Sequence, residues 1–198
     1  MLRNISTVLS GTVLAQVVAL VMIPVISRVY SPAAFGAFQV VASAATLLLP
    51  LSTLRYDFAI LRIRNPRNIS SLVALCFGVT IVVSFLVYIG AQIVVATVLP
   101  EAAGAYWASW QLPLVLLGVG LFQTAGQVSV RLGRYRVIAF SKLLQSGGSS
   151  VLGACCGVLL AASPVTLVLS DVAGRLAGTC AIFWDWLRSE DGNSRIRP

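Results

Sequence analysis

The chain of 198 residues alternates long apolar runs with short polar connectors. Runs stand out at positions 5–27, 35–54, 72–95, 112–130, 143–162 and 165–186. Each is close to the roughly 20 residues that a helix needs to cross about 30 Å of hydrocarbon. The runs lack the period-2 alternation of barrel strands, and backbone groups in lipid must bond within their own segment, so helices are the expected elements. The pattern predicts an all-α membrane protein, a bundle of about six transmembrane helices occupying residues 1–188, with 189–198 as a polar, disordered cytoplasmic tail. The first run is too long for a signal-peptide core and has no convincing small-x-small cleavage site, so it is read as retained.

Local chemistry sets the boundaries. Ser31-Pro32 pairs an N-cap hydroxyl with a proline at the first helical position and opens the second helix after a very short turn. Ser163-Pro164 repeats the device before the sixth, and Pro100 with Gly104 marks the break between the third and fourth.

Composition narrows the class. Hydrophobic residues make up 58% and charged residues 10%, with a mean hydropathy of +0.93. Soluble domains carry about 25% charged residues, so this chain cannot cover a water-facing surface. There is no histidine, which removes histidine-based triads and histidine metal ligands. Cys76, Cys155, Cys156 and Cys180 lie in apolar stretches without CxxC spacing and read as small buried hydrophobes. No GxxxxGK[ST] loop is present, so no built-in ATPase is expected. No catalytic residue, cofactor or metal is expected either.

The net charge is +8, which on a soluble protein suggests nucleic acid. Here the charges sort by connector instead. Arg55, Arg62, Arg64 and Arg67 fall between runs two and three; Arg131, Arg134, Arg136 and Lys142 fall between runs four and five. Arg3 precedes the first run, and Arg188, Arg195 and Arg197 follow the last. Only Arg28 lies on the other face, and Arg175 lies within the sixth run. The positive-inside rule then puts both termini in the cytoplasm, and contact with anionic head groups accounts for the basic balance without nucleic acid. Aromatic residues are expected as anchors: Tyr30, Phe35, Tyr106, Trp107 and Trp110 at the outer edge, and Tyr56, Tyr135, Phe183, Trp184 and Trp186 at the inner edge.

Polar residues inside the runs are costly in lipid and so informative. Gln39, Ser43 and Thr46 share a face of the second run, with Pro50 continuing it. Gln123, Gln127 and Arg131 recur every fourth residue in the fourth, and Thr12 and Gln16 lie one turn apart in the first. These stripes fit either a water-filled cavity or hydrogen bonds between helices. Asp171 and Arg175 lie one turn apart in the sixth run, with Arg175 roughly 15 Å deep at 1.5 Å per residue. The pair reads as a buried lock or as a polar site on a transport path. Arg55 closes the second run and reaches phosphate in a vestibule, or pairs with Asp57 or head groups. Gly153/Gly157 and Gly174/Gly178 give GxxxG spacing for close helix packing.

Four segments, in order, carry a resemblance to a family. They are Leu9-Ser10-Gly11-Thr12-Val13-Leu14-Ala15-Gln16, Arg28-Val29-Tyr30-Ser31-Pro32-Ala33-Ala34-Phe35-Gly36, Leu54-Arg55-Tyr56-Asp57-Phe58-Ala59-Ile60 and Ser170-Asp171-Val172-Ala173-Gly174-Arg175-Leu176-Ala177-Gly178. The chain resembles the bacterial polysaccharide and O-antigen oligosaccharide flippases of the multidrug/oligosaccharidyl-lipid/polysaccharide exporter superfamily, in their N-terminal six-helix half. The resemblance implies a flippase of the bacterial inner membrane, serving lipopolysaccharide or other cell-surface polysaccharide biosynthesis, that moves an undecaprenyl-pyrophosphate-linked oligosaccharide by alternating access. Such flippases have twelve or more helices in two bundles, so this chain is expected as a half-length or truncated form, active as a homodimer or with a second half-transporter. Arg55, Arg131 or Arg175, the last paired with Asp171, would hold phosphate, and Gln39, Gln123 and Gln127 would bind sugar hydroxyls. A non-transporting scaffold or inactive fragment is the alternative, followed by an exporter of organic cations on the same fold.

Overall fold

The structure, a computed structural model, describes residues 2–61, 67–98, 105–159 and 162–191. The order is α1 (Leu2–Val29), α2 (Pro32–Ser52), a 3-10 segment (Tyr56–Leu61), α3 (Arg67–Val98), α4 (Ala105–Arg131), α5 (Tyr135–Lys142), a π turn (Leu143–Gly148), α6 (Ser149–Leu159) and α7 (Pro164–Asp191). Both expected caps form: Ser31 Oγ accepts from Ala34 N at 3.2 Å, and Ser163 Oγ from Thr166 N at 3.4 Å.

Five helices are long and apolar enough to cross a membrane, within α1, α2, α3, α4 and α7. The chain is therefore a helical membrane protein, with five such helices where about six are expected. The difference lies at 143–162. Residues 135–159 are helical throughout, but the π turn divides them into segments each too short to span alone. Backbone dihedrals stay helical across both joints, at Leu143 and at Ser149. Arg136 and Lys142, expected in a connector, thus stand on α5. At the other end, α7 runs to Asp191, taking in the first three residues of the expected tail, and residues 192–198 lie outside the described ones.

The bundle is built around α4. Its span is 56% buried, against 11% for α1, and it packs on α2, α3, α5, α7 and the 3-10 segment. Lipid offers no hydrophobic driving force between helices, so close approach of small residues does the work. A Cβ on Gly174 would lie 2.8 Å from Gln145 O, and one on Gly178 would lie 2.8 Å from the Phe122 ring. A Cβ on Gly153 would lie 3.1 Å from Ser170 Oγ and one on Gly157 2.6 Å from the Tyr30 ring, so both GxxxG pairs mark real helix contacts. Val41 and Ala45 of α2, Val115, Leu116 and Val119 of α4, and Val168 and Val172 of α7 form the main core.

Gly133 closes α4 in the left-handed region at φ +67°. Its turn lets Arg134 N reach Ser129 O at 3.1 Å and reverses the chain into α5. Leu54 and Arg55 are also left-handed, at φ 45° and 59°, a strained conformation for residues with a side chain. They aim the 3-10 segment back under α3 and α4, where Ile60 is fully buried beside Ile69, Val73, Cys76 and Val128.

Two expectations need correction. Tyr30 is no interfacial anchor: it is 3% exposed, and its hydroxyl donates to Gly153 O at 2.8 Å. Among the cysteines Cys76 is enclosed, but Cys155 and Cys180 are exposed on outward helix faces.

Candidate functional site

Polar side chains from three helices meet in a cavity of about 500 Å³ between α1, α4 and α5. Thr12 comes from α1, Gln123 and Gln127 from α4, and Tyr135, Ser141 and Lys142 from α5, with Leu9, Phe122 and Val130 as apolar walls. Helical geometry explains the grouping. Gln123 and Gln127 differ by one turn and so point the same way. The cavity combines amide donors and acceptors, hydroxyls and one ammonium, against apolar walls. Most of the exposed wall is apolar, and the few polar groups on it can pair with hydroxyls and one negative charge.

Arg131 extends the stripe in sequence but not in space. Eight residues of helix advance about 80° beyond two full turns, which swings position 131 away from Gln123. Its Nη1 donates instead to Ile60 O at 2.8 Å, tying the end of α4 to the 3-10 segment. Positive charge there also complements the carbonyl end of the helix.

Arg175 sits in the seam between α4 and α7. Its Nε donates to Asp171 Oδ2 at 2.8 Å, with side-chain exposures of 18% and 13%. Its stem lies across the α4 backbone, with Cδ 3.5 Å from where a Cβ on Gly118 would stand. Arg55 is exposed on the turn after α2, and its guanidinium stands 5.6 Å from the centre of the Phe58 ring. Asp57 is only 2% exposed and, among the described residues, forms no ion pair with Arg55.

Gln39 lies apart from all of these. Together with Ser43 and Thr46 it is exposed on the outer face of α2. Thr46 answers its own need by donating to Ala42 O at 2.8 Å. The structure therefore brings Gln123 and Gln127 together and leaves Arg55, Arg131, Arg175 with Asp171, and Gln39 at separate places.

The family model of polysaccharide biosynthesis proteins matches residues 1–197. The chain belongs to the polysaccharide biosynthesis protein family. No curated protein and no solved structure matches it.

This polysaccharide biosynthesis protein is a multi-pass membrane protein, and its cavity contains residues that sequence reasoning assigned elsewhere. The sequence puts Lys142 in a connector and Tyr135 at an interface, because the fifth apolar run begins at residue 143. The signal that α5 begins earlier is the Gly133 turn. A helix-stopping glycine followed by Tyr135-Arg136-Val137-Ile138-Ala139-Phe140 is a fresh helix start with apolar spacing. In the polysaccharide biosynthesis protein that early start places Lys142 in the lining of the same cavity as Gln127.

Proposed function

We propose that this polysaccharide biosynthesis protein is one bundle of a flippase for a lipid-linked oligosaccharide, of the undecaprenyl-pyrophosphate type, in the bacterial inner membrane. The observation that carries the reading is the cavity: amide and hydroxyl side chains from three membrane helices, with Lys142 among them. Gln123, Gln127 and Thr12 hold sugar hydroxyls, and Lys142 attracts the pyrophosphate. Arg55, exposed on the strained turn after α2, stands apart from the cavity and offers the pyrophosphate a separate contact. The apolar tail stays in lipid. No bond is made or broken, so the protein is a carrier and not an enzyme.

Residues 135–159 supply the sixth crossing. At about 1.5 Å per residue their length is about 37 Å, enough for the hydrocarbon core. With that crossing both termini lie in the cytoplasm, as the arginines predict. The exposed Gln39, Ser43 and Thr46 line the path between this bundle and a second one, a partner half or a second copy. Amides and hydroxyls facing lipid alone would be costly.

Site-directed labelling tests the reading. In a chain whose four native cysteines are changed to alanine, Thr12→Cys, on the cavity wall, should react with a small maleimide in detergent, and an added pyrophosphate-linked oligosaccharide lipid should slow that reaction. Leu20→Cys, 66% exposed on the outside of α1, should be indifferent to it. Equal labelling of Thr12→Cys with and without saturating substrate would sink the assignment.

A further inference from the structure

A second concavity lies on the outside of the bundle, between α5 and α7, with a volume of about 610 Å³. Its floor is made of small residues on α7, Ala177 and Ala181, and its walls are the rings of Phe140 and Trp184. Those rings are 55% and 63% exposed. The concavity is shallow and open, and its lining is almost entirely apolar.

One end of the groove is basic. Arg136 lines it and is exposed. Arg188, one turn beyond Trp184 on α7, is also exposed, with its guanidinium 5.2 Å from the centre of the Trp184 ring. Asp185 is the acidic residue that lines the groove, and its carboxylate is paired with Arg134; Glu190 and Asp191 follow Arg188 at the end of α7. Arg134 further donates to Asp185 O at 2.9 Å, which holds the pair in place. The groove's own carboxylate is thus neutralised, with the exposed guanidinium groups of Arg136 in its wall and of Arg188 one turn beyond it. Guanidinium forks match phosphate oxygens in pairs.

The dimensions fit one leaflet. From Arg188 to Ala177 is eleven residues of helix, about 16 Å at 1.5 Å per residue, against about 15 Å for half the hydrocarbon core. A phosphate at the arginines therefore lets an acyl chain run the length of the groove. Trp184 stands at the level where indole rings favour the membrane–water boundary.

We infer that the α5/α7 groove is a binding site for an anionic glycerophospholipid, its phosphate held by Arg136 and Arg188 and one acyl chain laid along Ala177 and Ala181. The site is separate from the sugar-facing cavity and does not depend on what that cavity carries. It gives the bundle a lipid on the outer flank of α5, the helix whose other side presents Lys142 and Ser141.

The test is native mass spectrometry of the full chain in detergent with phosphatidylglycerol or phosphatidylcholine added at equal concentration. Phosphatidylglycerol should be retained in preference. Arg136→Gln and Arg188→Gln should each weaken its retention about fivefold, the size of one basic contact with an anionic head group. Ala181→Leu, which fills the channel and keeps the charge, should lower retention as well. All three positions face outward, so the variants should remain monodisperse. Equal retention of the two lipids, or unchanged phosphatidylglycerol binding in the double arginine variant, overturns the site. Displacement of phosphatidylglycerol by an equimolar polyprenyl diphosphate also overturns it, by assigning the groove to the carried lipid.

Discussion

Arg175 and Asp171 form a pair within one helix, Nε to Oδ2 at 2.8 Å, wedged against the backbone of α4 at Gly118. Both are well shielded, and each neutralises the other at a depth where a lone charge is strongly disfavoured. The geometry makes the pair a lock on the α4/α7 seam.

Breaking that pair from one side should therefore cost more than removing it. Asp171→Asn leaves Arg175 uncompensated and should lower stability by about 3–5 kcal/mol. Asp171→Leu combined with Arg175→Met should recover most of the loss, because a packed apolar pair has no charge to desolvate. Thermal unfolding of the purified protein in detergent reads both. A double variant as unstable as the single one would contradict the lock.

Tyr30 clasps the far end of the bundle. Its hydroxyl bonds Gly153 O and lies 3.0 Å from Thr166 Oγ1. A Cβ on Gly157 would lie 2.6 Å from its ring. Tyr30→Phe should cost about 1 kcal/mol, one buried hydrogen bond. Gly157→Ala should cost about 1–3 kcal/mol by overpacking, and the loss should shrink in the Tyr30→Leu background, where the ring is gone. The same melting experiment separates them.

These two contacts show how far the sequence could be read. Hydropathy located α1, α2, α3, α4 and α7, because a span in lipid has to be apolar over a fixed length. GxxxG spacing located the close approaches of α6 and α7. The i, i+4 rule found the Asp171–Arg175 pair. The misses have physical causes too. A tyrosine near a span end looks the same whether it anchors in head groups or bonds a carbonyl 123 positions away in the chain, as Tyr30 does. Arg131 left the stripe because the helical repeat is not four. The π turn was not visible, since its Ser146-Gly147-Gly148 composition resembles an ordinary flexible helix. Missing α5 meant missing Lys142.

The cavity glutamines distinguish a site from a structural role. Gln123→Leu and Gln127→Leu should each reduce transport about tenfold or more, the effect of about 1.4 kcal/mol in transition-state binding. Stability should stay within about 0.5 kcal/mol. A role as interhelical glue predicts the reverse, with each change costing about 0.6–1.7 kcal/mol and transport falling only as folded protein is lost. Denaturation in detergent alongside the transport assay gives both numbers from one preparation.

The outer face of α2 makes a separate prediction. Ser43→Cys should react with a membrane-impermeant maleimide in intact membranes, since a polar path runs past it. Leu20, 66% exposed on the outside of α1 and on a different helix from the stripe, faces lipid, and Leu20→Cys should not react. Equal protection of the two positions would mean that no water reaches the stripe.

Transbilayer movement of a fluorescent pyrophosphate-linked oligosaccharide lipid, in vesicles containing this chain, tests the central claim most directly. The account predicts movement that rises with protein density, faster than in empty vesicles, and that collapses in the Gln123→Leu/Gln127→Leu double variant. No movement at any protein density, from vesicles in which the chain is folded and correctly inserted, would contradict it.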